Sequence, residues 1–373
     1  MSASQSGNTD YLAAVVSQTV IVNKAPQSVS FTVPAPATAI FGTSFTVVAT
    51  ATSGLTPVYA NGGSCTNVAG LYTMSSGIGE CNVRVSQPGN SNYLAANPIA
   101  SITLAELATP SVSFTGVPAN AIYGNTYTLV ATTNASSAAV ITGTNATACS
   151  LSGSSSPSAL NILKGGGGSC NFTAKWAADN DYSAASLKLS TIATKATSTI
   201  TWPTPDPITY GTALTGAQLN AGANVEGTFS YTPLLGAFEN AGNDTLKVSF
   251  KPTNTNYSPA TATVVLSVAQ ASTTTTITSP SSTVKLNSVG VASATLHFNV
   301  TSYKPLGGVT LTASTGEVCS STPSALTGNG ICKLTFTTTG TRTIIASYTG
   351  DANHLASDSS SQDPPITVTV NPH

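Results

Sequence analysis

The chain has very few charged residues and no long apolar run. Only 7% of its 373 residues are Asp, Glu, Lys or Arg, against roughly a quarter in an ordinary soluble domain. The formal net charge of −1 leaves no cluster of basic residues for DNA, RNA or a lipid surface. No apolar segment reaches the roughly 18 residues that a bilayer span requires. We therefore expect no nucleic-acid partner and no membrane insertion.

Residues that carry catalysis are also scarce. The three histidines, His297, His354 and His373, lie in different sequence contexts, and no His-Glu-x-x-His or Gly-x-Ser-x-Gly motif is present. The glycines from Gly165 to Gly168 lack the Gly-Lys-Ser/Thr ending of a phosphate loop. The few carboxylates are scattered, so a paired acid–base site has little support. The sequence predicts no enzyme activity, no cofactor and no metal site.

The chain contains one short sequence motif, here called the phrase, that occurs five times. Its aromatic or histidine stands at Tyr11, Tyr93, Tyr182, Tyr257 and His354, each preceded by Asn- and Asp-rich residues, at intervals of 82, 89, 75 and 97. These intervals suit a small all-β domain better than a short solenoid repeat. We predict a partial repeat followed by four complete modules, here called the first to the fourth: 1–25, 26–107, 108–194, 195–268 and 269–373.

Alternating apolar residues predict strands with one buried face. The first module begins with Ser28-Val29-Ser30-Phe31 and continues with Ile40-Phe41-Gly42. The second module repeats this pattern with Ile122-Tyr123-Gly124 and the third with Ile208-Thr209-Tyr210-Gly211. The glycine of each aromatic-glycine pair suits a turn position with positive φ.

The six cysteines stand at matching points of three modules. Gly-x-Gly-x-Cys phrases end at Cys81, Cys170 and Cys332, and we interpret their glycines as a hairpin turn before the next strand. Cys81 shares a face with Val83 and Val85, so its sulfur points inward. Leu246 takes the cysteine position in the third module.

Six cysteines allow fifteen pairings, and the repeat selects one within each module: Cys65–Cys81, Cys149–Cys170 and Cys319–Cys332. Zinc is disfavoured because C-x₂-C spacing is absent and histidines are few. Disulfides imply an oxidising compartment. Since residues Met1 to Gln5 have no signal-peptide character, we expect a processed or excised piece of a longer secreted protein.

With these residues, the chain resembles the bacterial immunoglobulin-like repeats of large secreted and surface proteins. Trp202, Ile208–Thr212 and Gly227–Pro233 make the third module similar to the YGX-type MBG domain, and the first two modules look like cysteine-containing relatives. The fourth module resembles another bacterial Ig-like type, with an extra strand from Thr341 to Tyr348. The resemblance implies an all-β tandem array of immunoglobulin-like β-sandwich domains and supplies no catalytic residues.

Two functions remain open at this stage. The leading prediction is a secreted structural rod at a bacterial cell surface, acting as a stalk or as a filament subunit. Its partners would be itself, head to tail, or neighbouring domains of a longer surface protein. The alternative is an adhesin that binds a glycan or a protein ligand.

Residues 1–25 match only the end of a repeat. The segment Thr19, Val20, Ile21 and Val22 is a possible donor strand that completes a sheet in another subunit. The alternative is a remnant that frays or leans on its neighbour, since a lone strand is not stable in water.

Three smaller predictions concern side chains. The Asn- and Asp-rich phrases could offer calcium ligands, but we favour turns because most positions are not carboxylates. Tyr93, Tyr182 and Tyr257 should pack at their corners with their hydroxyls bonded to backbone. Lys247 and Lys251 are out of phase with the core residues of their strand, so we expect them to face solvent rather than form isopeptide bonds.

Overall fold

A computed structural model describes all residues from Met1 to His373, and every regular element in it is a β-strand. The chain divides into two compact units, Met1–Thr194 and Lys195–His373. The structure has no helix with the length and hydrophobicity of a membrane span. The fold class is therefore all-β, as the sequence predicts.

The amino-terminal segment forms a two-stranded hairpin. Strands β1 (Ser2–Gln5) and β2 (Ala14–Ser17) pair antiparallel. Residues Thr19 to Val22, the possible donor strand, lie outside any strand and are exposed. A lone strand is not stable in water, so the lack of a strand here in a single chain agrees with the sequence expectation, and donation to another copy stays a prediction.

The first module is a sandwich of short strands. One sheet has the order β4-β11-β10-β7, and the facing strands pair as β3-β6 and β5-β9-β8. Alternate residues of β10, including Cys81, Val83 and Val85, are buried. Its strands are β3 (Val29–Val33), β4 (Thr38–Ile40), β5 (Ser44–Thr46), β6 (Val48–Ala51), β7 (Val58–Gly63), β8 (Cys65–Val68), β9 (Leu71–Met74), β10 (Glu80–Gln87) and β11 (Ala96–Glu106).

The second module has two four-stranded sheets, ordered β12-β14-β17-β16 and β13-β19-β18-β15. Phe172, Ala174 and Trp176 alternate into its core from β18. Its strands are β12 (Val112–Thr115), β13 (Asn120–Ile122), β14 (Thr126–Thr133), β15 (Val140–Gly143), β16 (Cys149–Leu151), β17 (Ser158–Ile162), β18 (Gly168–Trp176) and β19 (Ala185–Thr194).

The third module has one four-stranded sheet, β22-β27-β25-β24, and two strand pairs, β20-β26 and β21-β23. Leu246, Val248 and Phe250 of β25 are buried, and Lys247 and Lys251 are exposed as predicted. Its strands are β20 (Ala196–Thr197), β21 (Ile200–Thr201), β22 (Ile208–Thr209), β23 (Gly222–Ala223), β24 (Gly227–Thr232), β25 (Gly242–Pro252), β26 (Tyr257–Ser258) and β27 (Ala260–Ala269).

The fourth module packs the sheet β28-β30-β33 on the sheet β29-β36-β34-β31-β32, with β35 beside β34. Strand β34 is the extra strand that the sequence predicts. The strands are β28 (Thr274–Ile277), β29 (Ser282–Lys285), β30 (Ala292–Thr301), β31 (Val309–Ala313), β32 (Val318–Ser321), β33 (Asn329–Phe336), β34 (Gly340–Tyr348), β35 (Ser357–Asp358) and β36 (Thr367–Asn371).

All four modules insert their last strand in the same way. Strands β11, β19, β27 and β36 each lie between a short parallel strand and a long antiparallel one. Each module therefore already contains the strand that closes its own sheet. This shared plan, with two packed sheets around an alternating core, is the immunoglobulin-like sandwich.

Candidate functional site

Each disulfide joins the two sheets of its own module. The structure contains the three pairs that the repeats predict, with Cα–Cα distances of 5.2 Å for Cys65–Cys81, 6.3 Å for Cys149–Cys170 and 5.9 Å for Cys319–Cys332. These distances lie within the usual range for disulfides. In every pair the first cysteine lies in one sheet and the second in the opposite sheet.

The hairpin interpretation of the Gly-x-Gly-x-Cys phrases is wrong. Strand β9 does not pair with β10, β17 does not pair with β18, and β32 does not pair with β33. The glycines instead carry the chain from one sheet to the other. The alternation of apolar residues does not separate the two cases, because the side chains of a hairpin and of a crossover both face the same core.

The recurring phrase forms a turn, here called the corner, in all five copies. The side-chain oxygen of its first residue accepts hydrogen bonds from backbone N–H groups two or three residues further on, at 2.7 to 3.0 Å. This is the Asx turn that Asn and Asp favour. The first residues are Asn8, Asn90, Asp179, Asn254 and Asp351.

In the four complete modules, the corner also holds the linker that enters its own module. A parallel bridge joins Ala25 to Tyr93, Ala108 to Tyr182, Ala196 to Tyr257 and Ala271 to His354. In the first module Ala25 donates its N–H to the Asn92 carbonyl and accepts from Leu94 N–H, both at 2.9 Å. The start and the end of each module are thus tied together at the corner.

Within unit Met1–Thr194, the corner of the second module contacts the first module. Gly77 N–H points at the Asn180 carbonyl oxygen at 3.0 Å and at Asp181 Oδ1 at 3.2 Å. Tyr182 packs edge-on against Phe41 of the aromatic-glycine turn, with ring centroids 5.4 Å apart. A Cβ on Gly77 would lie 2.9 Å from the Asn180 oxygen, so this contact requires glycine.

Within unit Lys195–His373, the corner of the fourth module contacts the third module in the same manner. Ala241 N–H donates to Asn353 Oδ1 at 2.7 Å, and Asn353 Nδ2 donates to Asn240 Oδ1 at 3.2 Å. His354 packs edge-on against Tyr210, with ring centroids 5.1 Å apart. In both units, therefore, the residue before the corner aromatic accepts a backbone N–H of the preceding module.

The aromatic-glycine turns have the predicted backbone. Gly42, Gly124 and Gly211 have φ values of +78°, +80° and +89°. At Gly211 glycine is required twice, because a Cβ there would also lie 2.9 Å from Tyr303 Cβ of the fourth module. The turn is thus both a local reversal and a surface on which the next module rests.

Hydrogen bonds hold the corner carboxylates ionised. Burial raises the pKa of Asp351, but bonds from the Tyr348 hydroxyl at 2.7 Å and Leu306 N–H at 2.9 Å outweigh it and hold that pKa well below its usual range. Burial, together with the bond to Asp351, raises the pKa of Tyr348 to about 12. The Ser136 hydroxyl and backbone N–H groups lower the pKa of Asp179.

One predicted contact differs in the structure. The hydroxyl of Tyr182 accepts a hydrogen bond from Asn134 Nδ2 at 3.1 Å rather than bonding to backbone.

No group of three or more His, Cys, Asp or Glu side chains converges as metal ligands. The contacts between modules were missed by sequence reasoning, although one signal was present: every residue before the corner aromatic is Asn or Asp.

No family model and no curated protein matches the chain. Among solved structures, immunoglobulin domains 1–5 of Sidekick-1 match with 9% identity and a TM-score of 0.30, covering 94% of this chain and 79% of theirs. A tetra-tandem repeat from the extending region of a large adhesion protein matches with 15% identity and a TM-score of 0.33, covering 93% and 99%. The sialic-acid-binding region of a Streptococcus sanguinis SK1 adhesin matches with 12% identity and a TM-score of 0.26, covering 71% and 78%.

The strand order, the two-sheet cores and the disulfides between sheets define the class. The chain is a tandem array of immunoglobulin-like β-sandwich domains.

Proposed function

We propose that the chain is an extracellular, non-enzymatic structural protein that spaces other parts of a surface assembly, as a stalk or as a filament subunit. Three disulfides between sheets support an oxidising compartment. The observation that carries the proposal is the corner contact, since two junctions bury polar and aromatic groups between consecutive modules. These contacts favour one arrangement of each pair of neighbouring modules, which suits a spacer.

We further propose a bacterial cell-surface origin, with the third module of the YGX MBG type. The residues that carry this resemblance do structural work in the core. Trp202 packs against Tyr231 with centroids 5.4 Å apart, and its indole N–H donates to the Gln218 carbonyl at 3.0 Å. The partners would be neighbouring domains of a longer surface protein or further copies of this chain.

The alternative function is adhesion through one outer surface. The adjacent side chains of Leu234 and Leu235 are 72% and 70% exposed in one loop, which favours a contact with another molecule. An exposed apolar pair of this kind is small compared with known binding patches. A structural role therefore has the stronger support.

Filament assembly would use the segment Thr19–Val22 as the donor strand. Nine and eleven residues after the corner aromatic, the second and third modules bury Thr191, Ala193, Leu266 and Val268, whereas the first module exposes Ile102 by 52% and Leu104 by 50%. The matching residues Val20 and Val22 are 54% and 87% exposed. Because every module here has its own closing strand, an acceptor copy would have to release one, for example β36, before it could accept the donor.

Electron microscopy and binding assays on the oxidised chain test these proposals together. A spacer predicts discrete particles or filaments and no specific signal on glycan arrays or host-cell surfaces. Filaments that persist after the Val20→Asp and Val22→Asp substitutions would overturn strand donation. Saturable glycan or protein binding that is lost on changing Leu234 and Leu235 to Ser would replace the structural role by adhesion.

A further inference from the structure

His354 occupies a corner position where the other complete modules carry tyrosine. His354 is 2% exposed, and its imidazole ring lies between two oxygen atoms of its own module. Nδ1 is 2.8 Å from Asp351 Oδ1, and Nε2 is 2.7 Å from the backbone carbonyl oxygen of Tyr303. The imidazole ring therefore joins the corner to the Tyr303 segment.

Both neighbouring oxygens can only accept a hydrogen bond. A backbone carbonyl carries no proton. The Asp351 carboxylate already accepts from the Tyr348 hydroxyl and from Leu306 and Asn353 N–H groups, and these bonds favour its ionised form. Both ring nitrogens of His354 must therefore donate, which requires the doubly protonated imidazolium.

The Tyr303 segment is also part of the contact with the third module. The Tyr303 ring stacks on Phe238 at 5.0 Å and lies 5.7 Å from Tyr210, while His354 packs edge-on against the same Tyr210. Removal of one proton from the imidazolium would leave a lone pair facing either the carbonyl or the carboxylate. That repulsion would push the Tyr303 segment away from the corner and from the third module.

We propose that His354 is a positioning residue that makes the junction between the third and fourth modules pH-dependent, closed with the imidazolium and loosened when the ring loses a proton as pH rises. This inference deepens the proposed structural role, because one joint of the array would respond to its surroundings. The equivalent joint in unit Met1–Thr194 has Tyr182 in place of the imidazole.

The other groups around the ring are compatible with this assignment. Asp351 is the carboxylate in direct contact with it, the Tyr348 hydroxyl donates to the same carboxylate, and Tyr210 packs edge-on against the ring. The Lys304 ammonium lies 5.1 Å from the Tyr303 ring centroid, and Glu239 is adjacent to Phe238 in the third module. The lysine opposes and the carboxylates favour the positive charge on the ring.

The test uses the full chain labelled with ¹⁵N in its three histidines. Two-bond ¹H–¹⁵N spectra distinguish imidazolium from each neutral tautomer, and exposed His297 and His373 serve as internal references. At about pH 5.5 to 6, we expect His354 with two N–H protons protected from exchange. A single neutral tautomer of His354 under these conditions would overturn the proposal.

Amide hydrogen exchange, corrected for intrinsic pH dependence, reads the joint itself. Loss of the His354 proton should raise exchange at Leu306 and Ala241, whose N–H groups bond to Asp351 and Asn353, by at least about fivefold, with no change at Gly77 in the other unit. The variant His354→Tyr, which installs the residue of the sister modules, should make this exchange independent of pH. Deprotonation of His354 without any change at Leu306 and Ala241 would refute the pH-dependent joint, but it would leave the structural role intact.

Discussion

Removal of the Cys149–Cys170 disulfide should destabilise the second module by about 3 kcal/mol. The two cysteines are 21 residues apart, and the entropy of closing a loop of that size in the unfolded chain corresponds to about 3 kcal/mol at 25 °C. The double substitution Cys149→Ala and Cys170→Ala removes both sulfurs, so no thiol remains to form other pairs. Both sites are buried, and the small cavity adds to the loss.

The two tryptophans allow this effect to be assigned to one module. Trp176 is 2% exposed in the second module, and Trp202 lies in the third, which contains no cysteine. Urea unfolding would be followed by fluorescence in Trp202→Phe and Trp176→Phe backgrounds, so that each tryptophan reports its own module. With an m value of about 1.5 kcal/mol/M, the double substitution should lower the midpoint reported by Trp176 by about 2 M.

The third module is the matched control for this experiment. Its transition, reported by Trp202, should not respond to the double substitution, because both exchanged cysteines lie in the second module and Leu246 stands where the other modules have cysteine. An unchanged midpoint at Trp176 would show that the bridge between the sheets does not stabilise the module. Equal shifts at both tryptophans would show that the double substitution acts on more than the second module.

Three further predictions follow from single side chains. Gly77→Ala should raise amide exchange at Asp181 and Ala108, because the new Cβ would lie 2.9 Å from the Asn180 oxygen. The control variant Gly153→Ala should leave this exchange unchanged, because no atom lies near its Cβ. Equal exchange in the two variants would contradict the contact between modules. Asp351 and Asp179 have lowered pKa values, so the stability that they add is complete above the unfolded pKa near 3.8 and is lost as pH falls below it. In Asp351→Asn, the free energy of unfolding should therefore fall less steeply as pH is lowered. An unchanged slope would contradict the stabilising role of Asp351. Arg342→Met should lower the free energy of unfolding of the fourth module by about 3 kcal/mol. The reason is that buried Arg342 binds Glu317 and the carbonyls of Thr338 and Gly340. A loss below about 1 kcal/mol in denaturant unfolding would refute a stabilising role of these bonds.

The alternation of apolar residues predicted the inward faces of the core strands, and comparison of the repeats predicted the cysteine partners. Cys81, Val83 and Val85 alternate into the core as predicted, and the same is true of Cys170, Phe172 and Ala174. A two-residue period follows directly from strand geometry, so the inward face of a strand can be read locally. The pairing of cysteines followed from comparison of the repeats rather than from any local rule.

The path between strands and the contacts between modules could not be predicted in this way. A crossover at Gly77–Cys81 places side chains on the core just as a hairpin would, so the burial pattern is the same. The role of Gly77 depends on the absence of a Cβ beside Asn180, and sequence shows a glycine without showing what approaches it. In sequence, Asp181 and Asn353 show only the pattern of turn residues. Their bonds to the preceding module depend on where that module lies, which the sequence does not show.

A disulfide between its two sheets holds each of the three cysteine-containing modules together. Peptide mapping by mass spectrometry under non-reducing conditions tests it most directly. The structure predicts the linked peptides Cys65–Cys81, Cys149–Cys170 and Cys319–Cys332 and no free thiol. Free thiols at these positions, or bridges between different modules, would contradict it.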